Sequence, residues 1–241
     1  MEKKILCLVV CSLILCFSIT VMASSVVGEW HFDDGTGTQV TDSSVYGNHG
    51  LLSNSSQWST PGYNGSGSCL YFGGYDASDY VEIAHSPSLA LVDNLYISAW
   101  VRPEETGNSL TPVLIKGMTS GSYYVGIRDS SIFFGLNYQN GGDPIVVDGD
   151  LNVPYDAWSQ IAVRYDGSQI TLYVNGMLDK SVQFSSPIID NGESLYIGVD
   201  YPGFCEKYKG LIDEVVIAVP EPATILLFGI GGLTLLRKRG K

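Results

Sequence analysis

Between residues 26 and 217 apolar residues recur at every second position, in short runs cut by Gly, Asn, Asp and Ser. A period of two admits strands and little else. In Leu95-Tyr-Ile-Ser-Ala-Trp-Val101, Leu95, Ile97, Ala99 and Val101 share one face, and Tyr96, Ser98 and Trp100 share the other. Trp158-Ser-Gln-Ile-Ala-Val-Arg-Tyr165 sets Ile161, Val163 and Tyr165 together. Asp166-Gly167-Ser168 then turns the chain, and Ile170, Leu172 and Val174 continue the same inward face. Asn175-Gly176 is a tight-turn dipeptide that sends a further hairpin into Met177-Leu178. Leu195–Val199 and Leu211–Ile217 read as the last strands. About a dozen short strands with turns at this spacing predict an all-β chain, two antiparallel sheets packed as a sandwich.

The two ends break the pattern. Lys3 and Lys4 precede an apolar run from Ile5 to Val21, and Val21-Met22-Ala23 ends it in small-residue character. That order predicts a secretory signal helix cleaved after Ala23. Cys7, Cys11 and Cys16 lie inside it with no lipobox ahead of them. At the other end, Pro220 and Pro222 flank Glu221, fix φ and end the preceding strand. An apolar stretch from Thr224 to Leu236 follows, then Arg237, Lys238, Arg239 and Lys241. As a helix that stretch spans about 20 Å, short of the ~30 Å hydrocarbon core, so it reads as a transient anchor. Its basic end stops transfer on the cytoplasmic side. The tripartite tail resembles a PEP-CTERM sorting signal. The resemblance implies an exosortase-type processing enzyme as partner, export across the inner membrane, brief anchoring, and a final place at the cell surface or in the extracellular matrix. The expected organisation is a signal peptide at 1–23, one domain at 24–218 and a sorting segment at 219–241.

Charge narrows the partners of the middle. Of the chain's 13 Lys/Arg and 25 Asp/Glu, six cations and two anions fall in the ends, leaving a formal charge of about −16 on the domain. Such a surface repels phosphate backbones, which excludes nucleic acid, and it repels anionic lipid while favouring divalent cations. Two cysteines remain outside the leader, Cys69 and Cys205, in a compartment that permits disulfides. Pairing them closes a long loop worth about 4 kcal/mol in the chain-entropy model. A buried free thiol at Cys69, on an apolar strand, is the equally ordinary alternative.

Several landmarks run in one order along the domain: Gly28-Glu-Trp-His-Phe-Asp-Asp34, Asp42-Ser-Ser-Val-Tyr-Gly-Asn-His-Gly-Leu51, Leu70-Tyr-Phe-Gly-Gly74 and Asp79-Tyr-Val-Glu-Ile83. Ile97-Ser-Ala-Trp-Val-Arg-Pro103, Trp158–Gly167, Leu172-Tyr-Val-Asn-Gly176 and Gly210-Leu-Ile-Asp-Glu-Val215 follow them. Together they resemble a LamG-like jelly roll of the concanavalin A-like lectin/glucanase superfamily. The resemblance implies a jelly-roll sandwich of two antiparallel sheets and a calcium ion held by carboxylates and carbonyls at its rim. It points to Asp42 and Asp213, on neighbouring terminal segments, and to Asp79 as calcium ligands. Gly74 stands where the family usually has Asp. The same three acids read equally as turn caps.

Other chemistry finds little footing. A retaining glycosidase needs two carboxyl groups about 5–5.5 Å apart. Asp213-Glu214 are adjacent on a strand, so alternation sends them to opposite faces; Asp33-Asp34 and Glu104-Glu105 share the fault. His31, His49 and His85 lack zinc spacing, and Gly141-Gly142 follow a turn residue rather than a strand before a helix. A non-catalytic carbohydrate-binding or adhesion domain acting on extracellular polysaccharide is the expectation. A secreted glycan hydrolase and a structural matrix protein binding other proteins are its rivals. Candidate sugar platforms are exposed aromatics in turns: Trp58, Tyr75, Tyr138 and Tyr201, with Tyr63 and Tyr155 as similar cases. Trp30, Trp100 and Trp158 fall in strand motifs and are expected in the core.

Overall fold

The alternating runs pair, among the described residues, into two eight-stranded antiparallel sheets. The structure is a computed structural model that describes residues 25–53, 57–75, 79–105, 110–117, 122–138, 143–200 and 206–220. The expected signal helix, the apolar helix, Glu221, Pro222, Arg237, Lys238 and Arg239 lie outside these residues, as do Tyr201 and Cys205. No helix among the described residues is long and apolar enough to cross a membrane.

The first sheet runs β14 (Met177–Gln183), β13 (Gln169–Val174), β12 (Ser159–Tyr165), β7 (Leu95–Pro103), β16 (Lys209–Val219), β5 (Cys69–Gly73) and β4 (Gln57–Ser59), and β1 (Ser25–Trp30) also pairs with β16. The second runs β11 (Ile145–Asn152), β10 (Ser131–Leu136), β9 (Tyr123–Arg128), β8 (Leu110–Lys116), β15 (Leu195–Ile197), β6 (Val81–Ile83), β3 (Gly50–Leu52) and β2 (Gln39–Val40). Neighbours such as β7 and β16 are distant in sequence, and the order is jelly-roll-like. Inward residues of both sheets, Leu95, Ile97, Val101, Ile161, Val163, Ile170 and Leu172 among them, interdigitate with Val81, Ile83, Leu114, Phe134 and Ile197 in one core. Asn175 and Gly176 both take positive φ, 52° and 74°, the geometry of the two-residue hairpin their dipeptide calls for.

Sixteen strands, not a dozen, form among the described residues, and β2, β3, β4, β6 and β15 hold only two or three residues each. Segments that short carry no period and exist by pairing alone. One expectation needs correction. Trp30 is fully buried, but Trp100 and Trp158 are only partly so. Trp100 occupies the outward position of β7, as its own alternation requires, and stacks on Tyr63 at 4.3 Å.

Residues 25–220 form one compact unit. Its first residue, Ser25, pairs with Val219, so the chain enters and leaves the unit at adjacent positions of one sheet. β16 stops there because Pro220 has no N–H to continue a ladder.

Candidate functional site

The three predicted metal ligands fall in separate settings. Asp42, 4% exposed, is saturated by the chain itself. Its Oδ1 accepts from the N–H groups of Glu29 and Ser44, and its Oδ2 from Ser44 Oγ and the N–H of Asn48, all within 2.7–2.9 Å. This is a turn cap rather than an open ligand. Asp79 Oδ2 accepts from the Gly73 N–H, and its Oδ1 is buried without a partner. Asp213 Oδ2 accepts from the Tyr63 N–H and Oδ1 from the Glu214 N–H, both at 2.9 Å. Among the described residues no group of three His, Cys, Asp or Glu is arranged to hold a metal ion.

Around Asp213 the simple strand rule fails. Its register opposite Trp100 is followed by a bulge before Val216, and Glu214 takes a φ of +49°. Val215 stays in the core, while the Glu214 carboxylate reaches the outer side and lies 2.6 Å from His31 Nδ1. Both carboxylates therefore sit outside the sandwich, and alternation does not part them. Asp213 is nonetheless 3% exposed, under the loop that carries Tyr63. Burial pushes its carboxyl up to about 6 against the two backbone N–H groups, with Glu214 and Asp33 pushing the same way. Burial pulls His31 down, and Glu214, Glu29 and Asp33 outweigh it to leave the imidazole raised. Cys69 lies beneath, its thiol pushed up to about 11 by burial and by Asp213, which makes it an inert thiol.

A pH prediction follows from Asp213. In the native state its carboxyl keeps a proton up to about pH 6, whereas the unfolded carboxyl releases it near 3.9. The native state therefore binds more protons in between, and this contribution, full below pH 4, is lost as pH rises through 6. At full size the effect is about 3 kcal/mol. Urea unfolding at pH 4, 5, 6 and 7 should show the wild type losing stability relative to Asp213→Asn. Parallel curves for the two proteins would contradict the assignment.

The predicted sugar platforms divide as well. Tyr75 is widely exposed. Trp58 is half-buried against the core, with Nε1 donating to Gly37 O at 3.0 Å. Tyr138 packs edge-on against Phe184 and belongs to the core margin.

An aromatic row absent from the sequence-based candidates lies on the outer face of the second sheet. Backbone register aligns Gln39, Leu51, Glu82, Tyr196, Ile115, Tyr124, Gly135 and Val146 side by side, one from each of the eight strands. Phe133 stands beside it, opposite Gly126 and Asp148. Ile115, Tyr196 and Val199 form a buried floor against which Tyr80 and Tyr124 pack. Tyr196 donates its hydroxyl to Glu82 Oε1 at 3.2 Å, and Ser194 Oγ donates to the same oxygen at 3.1 Å. Arg128 lies 4.6 Å over the Phe133 ring and donates to Asp148 at 2.9 Å. Burial raises the Tyr124 hydroxyl's pKa against the pull of Arg128, and Asp200 and Asp148 add to the rise. The signal was present in Tyr123-Tyr-Val-Gly-Ile-Arg128 and Ser131-Ile-Phe-Phe-Gly-Leu136, where the outward positions 124, 126, 133 and 135 hold aromatics and glycine in place of polar residues.

With the geometry described, comparisons with known proteins place it. The family model of the concanavalin A-like lectin/glucanases superfamily matches residues 72–219, and that of the PEP-CTERM protein-sorting motif matches residues 218–239. No curated protein matches the chain significantly. Among solved structures it is similar to the botulinum neurotoxin serotype G binding domain, with TM-score 0.65 and 17% identity over 87% of this chain and 51% of that one. It is also similar to the binding domain of Paraclostridial Mosquitocidal Protein 1, with TM-score 0.68 and 15% identity over 86% and 52%. Domain 4 of AbnA, a GH43 extracellular arabinanase from Geobacillus stearothermophilus, in complex with arabinotriose, gives TM-score 0.63 and 16% identity over 83% and 96%. The chain spans about half the length of the two toxin binding domains. At such identities the likeness is one of fold.

Proposed function

The chain belongs to the concanavalin A-like lectin/glucanase superfamily, and on that premise we propose that it is an exported, exosortase-sorted module that binds extracellular glycan without cleaving it. The observation that carries the reading is the outer face of the second sheet, where Tyr80, Tyr124 and Tyr196 gather beside the fixed Glu82 carboxylate. Solvated sheet faces are ordinarily polar. Rings at such positions suit the apolar faces of sugars, and carboxylates suit their hydroxyls. Domain 4 of the arabinanase, of the same fold, is a structure in complex with arabinotriose, which supports a sugar ligand. The sorting motif supports delivery through a transient membrane anchor to the cell surface or matrix.

Absence of cleavage rests on Asp213. A general acid must reach the glycosidic oxygen, and both of its oxygens are engaged by backbone N–H groups beneath the Tyr63 loop. The full-length chain, in mild detergent, is expected to be retarded in native gels containing polysaccharide and to release no reducing ends from it. Reducing-end release that disappears in Asp213→Ala or Glu214→Ala would replace this reading with a hydrolase. Calcium enters as a stabiliser proposed from the sequence, and its signature is a fall in Tm on adding EDTA that calcium restores. An unchanged Tm removes it.

A further inference from the structure

We propose that the outer face of the second sheet is the glycan subsite, that Tyr80 and Tyr124 are its stacking platforms, and that its ligand is a neutral polysaccharide chain lying across the strands. The inference rests on the glycan-binding reading above and gives it a place and a chemical class.

The rings are laid flat by glycine. A Cβ at Gly135 would fall 2.0 Å from Tyr124 Cζ, and one at Gly126 would fall 2.6 Å from Phe133 Cε1. Tyr124 and Phe133 therefore rest on bare backbone of the neighbouring strand. Arg128 covers Phe133, which is buried, while Tyr124 keeps partial exposure. A ring lying down presents its face, the surface that stacks on a sugar; an upright ring presents its edge. Tyr80, set at 70° to Tyr196, is the second partly exposed ring.

Their spacing indicates a chain. Tyr80 precedes β6 and Tyr124 lies on β9, three strand intervals away, which is about 14 Å. That exceeds one sugar ring, and the buried floor of Tyr196, Ile115 and Val199 lies between the two. Polar anchors stand along the same line: Glu82 at the β6 end, and Arg128 held by Asp148 at the β9 end.

Charge selects the class of glycan. Glu82, Asp148 and Asp200 surround the row, and its one guanidinium, Arg128, is already paired. A polyanionic chain would meet this acidic face within a strongly acidic domain. Neutral hydroxyls instead donate to the carboxylates.

Native affinity electrophoresis of the full-length chain tests this, using gels cast with xylan, linear arabinan, mixed-linkage β-glucan or alginate. Retention by at least one neutral polymer is expected, with none by alginate. Tyr124→Ala and Tyr80→Ala should each weaken it about tenfold or more, equivalent to ~1.4 kcal/mol. Tyr124→Leu, which keeps apolar cover over Gly135 but lacks a flat ring, should weaken it equally at unchanged Tm. Tyr46→Ala, an exposed tyrosine on the 41–49 loop, should leave it unaltered. Retention that survives all three row substitutions overturns the site and leaves the glycan-binding reading standing. Retention by alginate in place of the neutral polymers overturns the class, and retention by none overturns both.

Discussion

Replacing Asp42 with alanine is expected to lower the unfolding free energy by about 3–5 kcal/mol. The carboxylate gathers three backbone N–H groups and one hydroxyl. One of those donors, Asn48, is itself a junction. Its carbonyl accepts from Trp30 Nε1 at 2.9 Å, and its side-chain amide donates to Val27 O and to Ser88 Oγ. The loop 41–49 is thereby fastened onto β1, whose Trp30 ring passes so close over Gly28 that a Cβ there would meet it at 2.3 Å. Losing the acceptor strands buried donors, at about 1–3 kcal/mol each, with water relieving the more exposed ones. A domain of this size should lose roughly 10 °C in Tm. Thermal melts followed by near-ultraviolet circular dichroism would show it. A shift below 2 °C would mean that the loop does not depend on this cap.

The second large effect is expected at Lys116. It occupies an inward position of β8, opposite Leu195 and Tyr123, and is fully buried. Its Nζ donates to Glu193 O and to His85 Nδ1, and Asp190 lies at 3.6 Å. Burial lowers the ammonium's pKa against Asp190 and Glu193. Lys116→Ala should cost about 3–5 kcal/mol, since it opens a cavity and leaves the Glu193 carbonyl without this donor. Lys116→Met keeps the stem's volume and loses only the ammonium's contacts, so it should cost less than alanine, about 1–3 kcal/mol. The native state sheds the Lys116 proton at a lower pH than the unfolded chain does. Wild-type stability should therefore rise relative to Lys116→Met as pH climbs toward 10.5. Equal losses in the alanine and methionine variants would mean that the ammonium's contacts, and not side-chain volume, decide stability at this position.

Legibility in the sequence followed how local each cause is. The faces of β7, β12 and β13, and the hairpin at Asn175-Gly176, come from steric rules acting over two to four residues, and they read correctly. The strand motif around Trp100 suggests burial, but its own alternation sets it outward. The pair Asp213-Glu214 misled through the opposite fault. Alternation does not hold across the bulge that only pairing with β7 creates. Asp42 could be named but not assigned, because a carboxylate that caps a turn and one that binds a cation look alike until its donors are in place.

By itself the sequence determined the all-β architecture, the acidic net charge of the domain, and the sorting tail, because period, net charge and terminal order are properties of the chain alone. Only the tertiary structure decided which residues stand side by side on the outer face of the second sheet. The row joins residues 39, 51, 82, 115, 124, 135, 146 and 196, one from each strand of a sheet. Hydrogen-bond register brings them side by side, and a shift of one residue in any strand would turn its contribution into the core.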